Sequence, residues 1–164
     1  MLERTAPLQI KFAPGDAGTI SGYASVFGSP ADRHGDVIAP GAFAESLASG
    51  DKPLMLWSHD LSEPIGVWTS LKEDAKGLLV EGKLSDTTRG REARTLLLDG
   101  ALNGLSIGFR VVDFDELPDG GRLLKQIDLA EISLVTLPSA SRARVTSVKS
   151  GEITPRLLES ILRE

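Results

Sequence analysis

Ser106 lies between two glycines in Gly104-Leu105-Ser106-Ile107-Gly108, and His59 precedes it by 47 positions in Leu56-Trp57-Ser58-His59-Asp60. A hydroxyl is a poor nucleophile near neutral pH unless a neighbouring base takes its proton, and imidazole titrates in that range. The chain has only two histidines, so the search for that base is short. The chemistry these residue types suit is acyl transfer through a serine. Glycines beside the serine allow close approach of a substrate backbone and unusual dihedrals. The segment spells Gly-x-Ser-x-Gly, but it opens a strand and is not followed by strand-turn-helix, which disfavours the nucleophile elbow of α/β-hydrolases. The bland alternative makes Ser106 a small strand residue and His59 an exposed or capping side chain in a loop mouth.

A serine–histidine pair needs an acceptor that fixes the imidazole tautomer and stabilises its cation. Glu131 is an acid inside the apolar run Asp128-Leu129-Ala130-Glu131-Ile132-Ser133-Leu134-Val135. Burying a carboxylate there costs several kcal/mol unless it is paired, so a partner would explain it; a strand with one wet face is the alternative. His34, in a loop before the first helix, is the other candidate for the orienting role, or a structural residue. Asp32 and Asp36 flank it, but the acid-and-glycine pattern of an EF-hand is absent.

Bulk properties narrow the function classes. The 164 residues suit one domain, with 1–150 forming a barrel and 151–164 a C-terminal helix belonging to it. Net charge is −5 with signs interspersed, unlike the one-sided basic field of a nucleic-acid binder. There is no cysteine, which removes disulfides, thiolate catalysis and cysteine-bound zinc. Two histidines argue against a histidine-rich metal site. Residues 1–14 alternate polar and apolar types, which fits neither a signal peptide nor a membrane span.

These groups need a scaffold to bring them together. Period-2 alternation predicts strands over 8–12 and 19–27, joined as a hairpin, followed by a turn-rich loop over 28–35. A short helix is expected within 40–47, then strands over 54–57 and 65–71 separated by a loop that holds His59, and another over 77–84. Helical spacing of Ala93, Leu96 and Leu97, with Asp86 or Thr87 as N-cap and Gly100 as stop, predicts a helix over 88–99. Strands over 105–114 and 123–135 should pair antiparallel across Pro118-Asp119-Gly120-Gly121. The chain then turns small and polar from Pro138, and Ile153, Leu157, Leu158 and Ile161 mark an amphipathic helix over 153–162. About eight strands and two or three helices give a mainly β, α+β fold: a closed or nearly closed antiparallel barrel surrounded by helices.

His59 in LWSHD with Pro64-Ile65-Gly66, Ser106 in GLSIGF, Glu131 in EISLVTLP, Gly35-Asp36-Val37-Ile38 and Pro40-Gly41-Ala42-Phe43 together resemble the prohead proteases of tailed phages. Those serine peptidases process scaffold and capsid proteins during head maturation and are distantly similar to herpesvirus assemblins. The resemblance spans about residues 17–140. It implies an assemblin-like fold, His59 as base and Ser106 as nucleophile, no cofactor, a homodimer, and action in the host cytoplasm inside assembling proheads. It involves neither nucleic acid nor membrane. The herpesvirus relatives carry a second histidine after the serine; this chain has none, and Glu131 is the candidate for that role. In the related enzymes an oxyanion-binding segment follows the third triad member, here residues 137–144 with Arg142 and Arg144, although solvated loop charges are the simpler reading of both. A non-catalytic capsid-assembly domain and a hydrolase of small esters are the rival functions.

Overall fold

The computed structural model describes residues 9–10, 18–28 and 31–148. Its elements are β1 (Gln9–Ile10), β2 (Thr19–Val26), β3 (Asp36–Ile38), α1 (Ala44–Ala48), β4 (Leu54–Trp57), β5 (Asp60–Glu73), β6 (Gly77–Leu84), α2 (Thr88–Asp99), β7 (Gly104–Glu116), β8 (Arg122–Val135) and β9 (Arg144–Val148). Seven strands form a ring in the order β9-β2-β6-β5-β4-β8-β7, which closes where β7 returns to β9 at Gly104↔Arg144. The Leu105 N–H donates to the Ala143 carbonyl at 2.9 Å beside that closure. A closed barrel satisfies its own strand edges.

The core follows from alternation. Along β6, Leu78, Val80 and Leu84 are buried while Glu81 and Lys83 face out. Trp68, Phe43, Met55, Ile65 and Ile132 fill the interior beside them. Gly82 makes room for two of these, since a Cβ there would lie 2.5 Å from Met55 Cε and 2.6 Å from Trp68 Cε3. The α2 helix starts where Thr87 Oγ1 accepts from the Gly90 N–H at 3.1 Å, stops at left-handed Gly100, and buries Ala93 and Leu97.

Several expectations hold: the strand over 77–84, the helix over 88–99 with Thr87 as its cap, and the long antiparallel β7–β8 pair. Others need correction. The strands near the N-terminus are not a hairpin, because β9 lies between them, parallel to β1 and antiparallel to β2. β9 arises from a segment that reads as polar loop; its Val145 and Val148 are buried and supply the missing barrel stave. The barrel is mixed, since β4 runs parallel to β8. β3 was not anticipated, and it pairs parallel with β8 outside the ring. The expected loop around His59 is a two-residue turn, with β5 beginning at Asp60. Two helices lie among the described residues; the one expected over 153–162 lies outside them.

Candidate active site

The β7–β8 register places Ser106 opposite Ser133 and Gly108 opposite Glu131. Side chains alternate along a strand, so these four positions share one face while Leu105, Ile132 and Leu134 point into the core. On the other side of β8, β4 aligns Leu56 with Ser133 and Trp57 with Leu134. The chain then reverses through Ser58 (φ 51°) and His59 (φ 61°), both left-handed without being glycine. Each such residue costs on the order of 1 kcal/mol or more and persists only where its surroundings hold it. Two hydrogen bonds do so: the Ser58 N–H donates to the Leu134 carbonyl at 2.9 Å, and the His59 N–H to Ser133 Oγ at 3.0 Å. Past the turn, the Ser62 hydroxyl and N–H donate to the Asp60 carboxylate and hold its pKa below the ordinary value.

The turn delivers the imidazole between two partners. His59 Nε2 lies 3.0 Å from Ser106 Oγ, and Nδ1 is in close contact with Glu131 Oε1. Glu131 is 8% exposed, and its other oxygen accepts from the Ser133 hydroxyl at 2.6 Å. An ionised carboxylate only accepts. With an ionised carboxylate at Oε1, Nδ1 would carry the proton and Nε2 would offer its lone pair to the Ser106 hydroxyl, the polarity a serine nucleophile requires. Glu131 fits because position 108 is bare: a Cβ there would lie 2.3 Å from Oε1. Gly108 thus serves the acid, and neither Gly104 nor Gly108 adopts a positive φ. His59 remains 43% exposed along its side chain, open to a ligand.

Ser106 and His59 border a cleft of about 320 Å³. Its lining also includes Val26, Asp32, His34, Asp36, Ser139 and Ala140. His34 shares the cleft but its ring makes no hydrogen bond among the described residues; its backbone N–H donates to Asp32 Oδ1 at 2.8 Å. Asp32 Oδ1 also accepts from the Asp36 N–H, and Asp36 is bidentate to Arg122, with both bonds at 2.8 Å. That pairing raises the Arg122 pKa above its ordinary value. These acids brace the loop, and no group of three or more metal-ligating side chains occurs among the described residues. Arg142 donates to the Phe27 and Gly28 carbonyls, while Arg144 donates to the Ser141 carbonyl and Asn103 Oδ1. Neither arginine lines the cleft, whereas Ser139 and Ala140 of the same segment do. Ser133 carries no signature as a candidate site residue until the register is known, and Gly108, which stands out in the sequence as a flank of Ser106, shows its room for Glu131 only with that register.

Residues 7–156 match the family described as Caudovirus prohead serine protease. The chain is 39% identical over 165 aligned residues to the prohead protease of Enterobacteria phage HK97, covering 95% of this chain and 72% of that protein. It is 36% identical over 154 residues to the capsid polyprotein of Pseudomonas phage PAJU2, covering 87% of this chain but 22% of that much longer protein. Among solved structures, the bacteriophage T4 capsid assembly protease has the same fold with a TM-score of 0.57 at 10% identity, over 71% of this chain and 80% of that one.

Proposed function

We propose, since this chain belongs to the Caudovirus prohead serine protease family and so is a peptidase of phage capsid maturation, that Ser106, His59 and Glu131 are its catalytic triad. The observation that carries this reading is the single imidazole that meets a serine hydroxyl with one nitrogen and a buried carboxylate with the other. Ser106 Oγ attacks the scissile carbonyl carbon as its proton passes to His59 Nε2. The tetrahedral intermediate collapses when Nε2–H protonates the leaving amine, giving an acyl-enzyme. Water then attacks the ester as its proton goes to Nε2, and the second tetrahedral intermediate collapses when Nε2–H returns that proton to Ser106 Oγ, breaking the Oγ–C bond and releasing the carboxylic acid. Glu131 stays ionised, holds the tautomer and offsets the imidazolium charge.

The developing oxyanion needs fixed donors close to Ser106. We assign that task to backbone N–H groups of residues 137–144, with Arg142 and Arg144 holding the segment in place. The substrates are capsid and scaffold proteins, cut within assembling proheads in the host cell. The active chain is one domain, 1–150 with the segment 151–164, and works as a homodimer. Purified wild type should cleave its capsid or scaffold protein and be labelled by a serine-reactive phosphonate. Ser106→Ala and His59→Ala should each lose cleavage by a factor on the order of a thousand or more with the fold intact, because triad members act as a unit. Near wild-type cleavage by either variant would refute the assignment.

A further inference from the structure

Two serines face each other across β7 and β8, and they are bonded differently. Ser106 directs its oxygen at His59 Nε2, whereas Ser133, fully buried, has both hydrogen-bonding capacities committed. Its proton goes to Glu131 Oε2 at 2.6 Å, and its lone pair receives the His59 N–H at 3.0 Å. One hydroxyl therefore fixes the carboxylate and, independently, the backbone of the residue whose ring that carboxylate holds. We infer that Ser133 is a positioning residue of the peptidase, setting the distance and angle between Glu131 and His59; the inference rests on the triad proposed above.

A buried serine that merely satisfies itself would bond any nearby carbonyl. Ser133 instead closes a loop of contacts through Glu131, the His59 ring and the His59 backbone, and back to Oγ. Loss of the hydroxyl leaves Oε2 of the buried Glu131 without this donor and the His59 N–H without its acceptor. The carboxylate is then free to rotate and the left-handed turn loses one of its two ties. Neither Ser133 nor Glu131 lines the cleft, so substrate affinity is spared and the chemical step is not.

The test is a double-mutant cycle on the full chain with a capsid-derived peptide. Ser133→Ala should lower kcat by about 10- to 100-fold with KM within about twofold, as loss of an outer partner of a working histidine does. In a Glu131→Gln background the same change should cost less than about threefold, because the carboxylate it positions is gone. If Ser133→Ala does not fold, Ser133→Cys supplies the measurement: a thiol is a weak donor and a tolerated core group, and its smaller loss should likewise shrink in the Glu131→Gln background. An unchanged kcat in a folded Ser133 variant, or an equal loss in both backgrounds, overturns the inference. Undiminished phosphonate labelling of Ser106→Ala would instead overturn the triad, and this inference with it.

Discussion

At Gly108 the missing side chain makes room for the carboxylate, and this separates stability from activity. A Cβ added there meets Glu131 Oε1, Cδ and Cγ, all atoms of one flexible side chain and none of them backbone. Gly108→Ala should therefore fold, losing about 1–3 kcal/mol from local overpacking, while the displaced carboxylate costs a factor of about 10² to 10⁴ in kcat. Thermal melts alongside peptide kinetics check this, and normal turnover in the folded variant would show that Glu131 can serve from elsewhere. The three triad candidates were legible because one of only two histidines, a glycine-flanked serine and an acid in an apolar strand are each odd residues for their setting. Ser133 was not, since a serine in a strand means nothing until its cross-strand partner is known.

Among the elements, β2 is fastened to the turn between β5 and β6 by a contact outside the site. The Tyr23 hydroxyl donates to the Asp74 carboxylate, which also accepts from the Lys76 and Gly77 N–H groups at 2.8 and 3.0 Å. The tyrosine holds the Asp74 pKa below its ordinary 3.8, and the carboxylate, chiefly through the same hydrogen bond, raises the Tyr23 pKa above 10.0. A lowered acid contributes stability above its unfolded value and loses it as pH falls through the folded one. A raised tyrosine contributes below its unfolded value and loses it as pH climbs through the folded one. The stability difference between wild type and Tyr23→Phe should thus be a plateau across neutral pH that narrows below 3.8 and again above 10.0. Urea midpoints across that range test it; a difference that does not change with pH would mean the bond does not couple to titration. The β2 and β6 strands were legible from alternation and turn residues, but β9 was not. Its five residues are too few to establish a period, and its partners lie at the opposite end of the chain.

For the whole molecule, a mainly β, α+β fold with a closed or nearly closed barrel followed from many short strands with turn signals between them and helical spacing over 88–99. The parallel β4–β8 pair did not, because pairing direction depends on how distant segments meet. The proposed dimer belongs to this scale too. The α2 helix commits Ala93 and Leu97 to the core, which leaves the apolar spacing of Leu157 and Leu158 as the stronger candidate for association. Wild type should sediment as a dimer at tens of micromolar and Leu157→Glu as a monomer with its fold intact. A monomeric wild type would remove the dimer.

The parallel alignment of Leu54 with Glu131 and of Leu56 with Ser133 also has a meaning in time. The turn that carries His59 is tied to β8, and Ser106 reaches the same place only through the neighbouring β7, so no hairpin or other local unit contains the working site. On the proposed triad, a growing chain has the candidate base His59 long before the candidate nucleophile Ser106, and the candidate acid Glu131 later still. On that reading competence waits on the long-range pairing of β4 with β8, a slow kind of event in folding, so a half-made copy would have nothing with which to cut its neighbours.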